Sequence, residues 1–318
     1  MTPFESSMAG ALGPSRLRRD VRLGAYTTFR VGGPADWLIE TRNGEEIIAA
    51  LAVARDAGLP VTILGGGSNV LIADAGIRGL VIRPRGGAAH RVGEHAVRAD
   101  AALTINGLVR WTIYHRAGGL EAWAGTPGTV GGAIVGNAHF AGQSIGELVV
   151  GTRIVARDGT IHELMAAEMA FGYDRSRMQG TGEVLLSADF KVSSGDPAML
   201  RARARESLAY RKRTQPLDAP SAGCIFQNPQ PGVDEVPAGI PWSAGALLDR
   251  AGLKGARVGG AIVSPTHGNF IVSDGTATAA DIRQLIAQCR TAVRTAFGVD
   301  LKEEIVYLGD VDRAMTHD

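Results

Sequence analysis

Two glycine-rich segments about sixty residues apart carry chemistry that can be read from spacing alone: LGGGSNVLI at residues 64–72 and GTPGTVGGAIVGNA at residues 125–138. A backbone without β-carbons takes left-handed angles and comes within hydrogen-bonding distance of a ligand that side chains would push away. The N–H groups gathered in such turns form a nest for an anion, and Ser68 and Asn69 add polar side chains to the first. Two nests read as the jaws of a clamp on a diphosphate. Neither a Rossmann fold nor a P-loop fits the first segment. Residues 73–76 (ADAG) make a turn where those motifs open a long helix, and GGGSN lacks both the GxGxxG spacing and the Lys-Ser/Thr pair. A tight turn between buried strands is the alternative for an isolated GGG, and the second glycine loop weighs against it.

Other reactive side chains are few. Cys224 lies in PSAGCIFQNP, residues 220–229, a turn rich in Gly, Ser and Pro before a short apolar strand. A free thiol has a pKa of about 8.5, so it can release a proton near neutrality or attack as thiolate; a buried structural cysteine is the competing reading. LKEEIVYLG, residues 301–309, reads as a terminal strand whose alternation turns one acid to solvent, and on that basis Glu304 is a surface charge. Arg201, Arg203 and Arg205 read as a solvated helix face, whereas Arg211, Lys212 and Arg213, next to Gln215, are placed to meet an anionic ligand. The seven histidines and two cysteines show no HxxxH or CxxC spacing, so no metal site is expected, and no GxSxG elbow supports a hydrolase.

These groups must be positioned by 318 residues, enough for two or three domains with substantial cores. Lys plus Arg number 33 against 32 Asp plus Glu, so no net field favours nucleic acid or membrane, and small-molecule partners are expected. Sparse cysteine, no secretory leader and no apolar run of bilayer length point to a reducing cytoplasm. Residues 1–19 read as a disordered lead-in. A helix over residues 43–57, capped by Asn43, precedes strands near 61–64 and 80–82; this β-α-β unit defines a first block, 20–85. A second block, 86–194, is α+β: Ile105, Leu108, Val109 and Ile113 recur at helical spacing, Asp158-Gly159 marks a hairpin, and residues 184–192 alternate as a strand. The third, 195–310, opens with a helix capped by Asp196 and includes another opened by a capping box at Thr278, with Cys289 on its buried face.

Eight segments in order resemble the UDP-N-acetylenolpyruvoylglucosamine reductase family: TTFRVGG (27–33), LGGGSNVLI, PGTVGGA with Asn137, FGYDRSRM (171–178), PSAGCIFQNP, GLKG (252–255), HGNF (267–270) and LKEEIVYLG. The resemblance covers roughly residues 20–309. It implies an α+β fold: a two-lobed FAD-binding domain of the vanillyl-alcohol oxidase and p-cresol methylhydroxylase (PCMH/VAO) type, followed by an α+β substrate-binding domain. The short chain between Phe190 and Pro220 matches the compact, type II form. It also implies non-covalent FAD, with NADPH as co-substrate, in a cytoplasmic monomer. Reduced flavin passes hydride from N5 to C3 of UDP-N-acetylglucosamine enolpyruvate, and an acid protonates C2 to give UDP-N-acetylmuramate, a peptidoglycan precursor for the cell wall.

On this resemblance FAD is held by Thr28, Arg30, Val31 and Gly32, by Leu64, Gly65, Gly66, Gly67, Ser68, Asn69, Val70 and Leu71, and by Gly125, Thr126, Pro127, Gly128, Thr129, Gly131, Gly132, Ala133 and Asn137. The UDP-sugar falls to Tyr173, Arg213, Gln215, Lys254, His267 and Asn269. Cys224 matches the serine that protonates C2, and Glu304 the glutamate that acts with an arginine at the carboxylate. The family's Tyr-Arg-x-Ser reads here as Tyr173-Asp174-Arg175-Ser176. Were the segment helical, Arg177 would lie one turn from position 174 and Arg175 a quarter turn away, so Arg177 and then Arg175 are expected at the carboxylate. His139 stands where the family has glycine and invites a second reading, a flavoenzyme with covalently attached flavin on the same scaffold. Asp174 and Cys224, both departures, allow a third, a non-catalytic paralogue.

Overall fold

Thr2 and Glu5 form a reciprocal capping box around Pro3, and with that start the chain enters a helix at once, α1 (Pro3–Leu12). The disordered lead-in expected for residues 1–19 is therefore corrected. Phe4 and Met8, one turn apart, bury against Ile39, Ala50, Ala54, Leu80 and Ile82, and Phe4 meets Trp37 edge-on at 5.5 Å. Burial, not propensity, holds so short a helix. Met8 is fully buried, so Met8→Ala should cost about 2–5 kcal/mol in urea unfolding; an unchanged midpoint would return the segment to a passive tail.

The computed structural model describes residues 1–310, and the chain divides into two compact units. The first contains Met1–Asp20, Asp36–Gly66 and Gly79–Tyr210. Its α2 (Gly44–Asp56) starts where expected, with Asn43 accepting from the Glu46 N–H at 2.9 Å. The strands Val61–Ile63 and Ile77–Pro84 run parallel, Val61 opposite Leu80 and Ile63 opposite Ile82, completing the β-α-β unit. A five-stranded antiparallel sheet follows the order Ile161–Met165, Val149–Val155, Val184–Lys191, Ala96–Asp100, Ala89–Arg91. Its hairpin closes with Val155 opposite Ile161, around Asp158-Gly159. α3 (Ile105–Tyr114) and the short α4 (Val130–Val135) pack with this sheet around Trp123, Phe190, Leu108 and Ile134. A one-turn α5 (Met178–Thr181) precedes α6 (Pro197–Thr214), whose first N–H groups bond to Asp196 Oδ1.

The second unit gathers Val21–Ala35, Gly67–Arg78 and the chain from Arg211 onward. Strands Ser221–Cys224, Phe270–Ser273, Ala261–Val263 and Arg257–Val258 form an antiparallel sheet in that order, joined by α7 (Ala244–Arg250) and α8 (Ala279–Phe297). Cys289 is buried on α8, as its spacing indicates, and burial pushes its thiol up to about 12. This partition differs from three linear blocks. Phe29, Val31 and Leu71 join the core of Leu247, Ile282 and Ile286, while Val70–Ile72 pairs in parallel with Val306–Leu308. Likewise Leu200 packs into the first unit's core and Arg203 meets Glu121 at 3.1 Å, so α6 belongs to that unit as far as Tyr210. Among the described residues no helix is long and apolar enough to cross a membrane.

Candidate active site

Within the first unit the two glycine loops touch backbone to backbone. A β-carbon on Gly66 would lie 2.5 Å from the Gly128 Cα, and one on Gly65 would lie 2.7 Å from the Thr129 Oγ1. The second loop is stapled from α3: Asn106 Oδ1 accepts from the Gly125 N–H at 2.7 Å, and its Nδ2 donates to the Thr126 carbonyl at 3.1 Å. Thr129 caps α4 by accepting from the Gly132 N–H at 3.3 Å, and the Gly131 N–H bonds to the Ala101 carbonyl at 2.9 Å. Pro127 lies in this loop, and Ala133 is buried beneath it. Among the described residues, the N–H groups of Gly65, Gly66 and Gly128 donate to no protein acceptor. Asn137 is otherwise employed: its amide donates to the Gly172 carbonyl at 2.6 Å and accepts from the Gly146 N–H at 2.9 Å. Its side chain therefore fastens residues 172 and 146.

The rest of the first loop lies in the second unit, braced by the TTFRVGG segment. Gly67 takes a left-handed φ of 62°, and its carbonyl accepts from the Thr28 N–H at 2.9 Å. Thr27 closes the brace onto the Val31 carbonyl at 3.1 Å, with Arg30 left-handed at φ 58° between them. Gly32 approaches Ile72 closely, Leu64 and Leu71 are buried, and Val70 begins the strand that pairs with Val306.

The same unit brings Cys224 and Glu304 onto adjoining backbone, although 80 positions separate them in sequence. Residues 225–227 and 302–304 run antiparallel: the Glu304 N–H donates to the Ile225 carbonyl and the Gln227 N–H to the Lys302 carbonyl, each at 2.8 Å. Asn69 of the glycine loop donates to the Glu304 carbonyl at 3.2 Å. Glu304 is half-buried, which corrects the surface charge inferred from alternation. Its neighbour Glu303 takes the structural part, pairing with Arg283 and Arg290 at 3.0 and 3.1 Å. Cys224 is half-buried at the end of its strand, opposite Phe270, after a register shift that follows Ser221.

Other expected ligands sort differently. Arg213 is exposed, whereas Arg211, two residues earlier, is 6% exposed and sits in the field of Cys224. Burial pushes the Arg211 guanidinium down to about 10, opposed by the charge of Cys224. Sequence reasoning named Arg211 in the basic trio but settled on Arg213, because helical spacing places 211 and 213 on opposite faces without saying which is buried. Asn269 is buried with both side-chain groups bonded to Phe226, accepting at 2.9 Å and donating at 2.7 Å. It is a staple for residues 224–226, so its expected contact with the UDP-sugar is corrected. His267 accepts from the Asn269 N–H at 3.2 Å, and burial followed by the nearby Lys254 holds its pKa below the ordinary value. Lys254 pairs with Asp249 at 2.9 Å, and Gln215 caps α6 through its backbone.

In the first unit, FGYDRSRM is a tight turn and not a helix: the Gly172 and Arg175 backbones pair mutually, with Asp174 left-handed at φ 50°. Arg177 is clamped by both oxygens of Glu183, at 3.1 and 2.7 Å, which corrects its place as the favoured carboxylate ligand. Arg175 is exposed and makes no ion pair among the described residues. Tyr173 is 37% exposed against the ring of His139.

Residues 35–165 match the FAD binding domain family, and residues 215–308 match the UDP-N-acetylenolpyruvoylglucosamine reductase, C-terminal domain. FAD is therefore the cofactor, and the side-chain-free backbone at Gly65, Gly66 and Gly128, whose N–H groups donate to no protein acceptor among the described residues, fits its diphosphate. The chain is 41% identical over 288 residues to UDP-N-acetylenolpyruvoylglucosamine reductase of Moorella thermoacetica, covering 91% of this chain and 92% of the relative. With a second such reductase, from Symbiobacterium thermophilum, identity is 38% over 93% of each. The crystal structure of the reductase from Thermus caldophilus superposes with a TM-score of 0.76 at 32% identity, over 92% of this chain and all of that one. Agreement in both domains, along nine-tenths of the length and in three dimensions, leaves one conclusion: the chain belongs to the UDP-N-acetylenolpyruvoylglucosamine reductase family.

Proposed function

We propose that this protein reduces UDP-N-acetylglucosamine enolpyruvate to UDP-N-acetylmuramate at the expense of NADPH, within peptidoglycan precursor synthesis in the cytoplasm. The observation that carries the reading is the placement of Cys224 and Glu304 on paired backbone beside Asn69 of the glycine loop. When bound, FAD supplies hydride chemistry, taking a hydride from NADPH and giving it to C3 of the enolpyruvyl group. Charge then develops at C2 and its carboxylate, where the protein's own groups act. Cys224 gives its proton to C2 and recovers one from solvent; a thiol is a stronger acid than the hydroxyl it replaces. Arg211, in the field of Cys224, stabilises the thiolate left behind. Glu304 acts at the substrate carboxylate, and Arg175 draws in the anionic substrate from solvent. Thr28, Asn69 and the glycine loops hold the cofactor, while Gln215, Lys254 and His267 lie on the unit assigned to the UDP-sugar.

Anaerobic stopped-flow mixing tests this directly. NADPH should bleach the visible flavin band, and UDP-N-acetylglucosamine enolpyruvate should restore it. Reduction without restoration would leave only a binding protein, and yellow chromophore retained after denaturation would mark a covalent flavoenzyme.

A further inference from the structure

Glu303 stands one residue before the acid assigned to the substrate carboxylate, and three donors converge on its side chain. Oε1 accepts from Nη1 of Arg283 at 3.0 Å and from Nη1 of Arg290 at 3.1 Å, while Oε2 accepts from the Tyr307 hydroxyl. The two arginines are seven residues apart on α8, close to two full turns, so both project from one side of that helix. Arg283 also donates to the Tyr307 hydroxyl at 3.3 Å, with its guanidinium 4.9 Å from the centre of the tyrosine ring, and Arg290 reaches Asp300 at 3.5 Å. The Glu303 side chain is 14% exposed, so these charge-assisted bonds are weakly screened by solvent and salt.

The cluster joins three segments of the second unit that the reaction needs in register. Glu303 pairs through its backbone with buried Phe226, two residues beyond Cys224. Tyr307 lies opposite Leu71 in the parallel pairing of 306–308 with 70–72, and the Val306 N–H donates to the Asn69 carbonyl at 3.0 Å. Glu304 sits between these two anchor points. In extended backbone, neighbouring side chains leave on opposite sides, so a Glu303 held against α8 directs Glu304 away from that helix. Release of Glu303 would let Glu304 turn and the strand segment after Cys224 shift.

We propose that Glu303, held by Arg283, Arg290 and Tyr307, is a positioning residue that sets Glu304 and Cys224 in register with the glycine loop for reoxidation of the flavin. The inference rests on the reductase reading above. Glu303 acts through its neighbours, so its loss slows the half-reaction that uses Cys224 and Glu304 and spares the one that does not.

The test compares FAD-loaded wild type, Glu303→Gln, Tyr307→Phe, the double variant Glu303→Gln with Arg283→Gln, and Met8→Ala, which is destabilised in the first unit. Both half-reactions and the melting temperature are measured for each. Bleaching by NADPH should stay within about twofold throughout, which reports intact flavin sites. The limiting rate of reoxidation by UDP-N-acetylglucosamine enolpyruvate should fall about 100-fold in Glu303→Gln and about fivefold in Tyr307→Phe. The double variant removes a partly buried arginine along with its carboxylate, so it should regain melting temperature over Glu303→Gln without regaining the rate. Met8→Ala should melt lower and reoxidise like wild type. Wild-type reoxidation in Glu303→Gln, a rate that recovers with stability in the double variant, or an equal loss in Met8→Ala overturns the inference, because the cluster would then serve stability alone. Should Glu303→Gln not hold flavin, Tyr307→Phe decides in its place, and a wild-type rate there overturns the inference. Failure of the wild type to reoxidise would instead overturn the reductase reading, and this inference with it.

Discussion

Replacing Cys224 with alanine is expected to slow reoxidation of the reduced flavin by about 10³–10⁴-fold while leaving reduction by NADPH near the wild-type rate. General acid catalysis contributes roughly 10²–10⁴, and no other thiol can substitute, because Cys289 lies buried on α8. The split between half-reactions matters more than the size of the loss. Reduction needs a bound flavin and NADPH, whereas only reoxidation needs a proton at C2. Cys224→Ser should fall between alanine and wild type, since a hydroxyl has similar reach but is a weaker acid. The neighbouring charge gives a second readout: Arg211 favours the thiolate, so Arg211→Gln should move the pH midpoint of Cys224 alkylation upward. Bound UDP-N-acetylglucosamine enolpyruvate should protect the thiol from iodoacetamide. Unaltered reoxidation in Cys224→Ala would remove the thiol from the mechanism.

Gly66→Val should abolish FAD binding, raising the dissociation constant more than about 100-fold and leaving the purified protein colourless. The added β-carbon would sit 2.5 Å from the Gly128 Cα, where ordinary contact begins at 3.4 Å. The obstacle is backbone, so no flexible side chain can swing aside, and the two loops must separate by about 1 Å. Hydrogen bonds from backbone N–H groups to a diphosphate do not survive such a displacement. Gly10→Ala is the matched control: it lies inside α1 with open space around it and should stabilise the protein by about 0.5–1 kcal/mol without changing its colour. A yellow Gly66→Val protein with wild-type flavin affinity would dismiss the clamp.

Both experiments rest on features that were legible in the residues to different degrees. The glycine spacing announced a diphosphate clamp, and the helix starts at Asn43, Asp196 and Thr278, the hairpin at Asp158-Gly159 and the buried face of Cys289 all formed where local rules put them. Each of those signals acts within one turn or one strand, so a short window of sequence contains all the partners it needs.

What only the tertiary structure decided has a common character. The ion pair that takes Arg177 out of play is local in sequence but depends on a turn where helical spacing was assumed. Arg211 and Arg213 are about 200° apart on one helix, and packing alone selects which becomes buried beside Cys224. Asn137 and Asn269 resemble ligand contacts by motif, yet the fold spends their amides on backbone carbonyls and N–H groups that would otherwise be stranded. The sequence by itself determined the two glycine-rich loops and the local elements, because these depend on residue type and near neighbours. The pairing of residues 225–227 with 302–304, the division into two units and the His139–Asp174 pair were decided by long-range contact, whose partners no spacing rule can name.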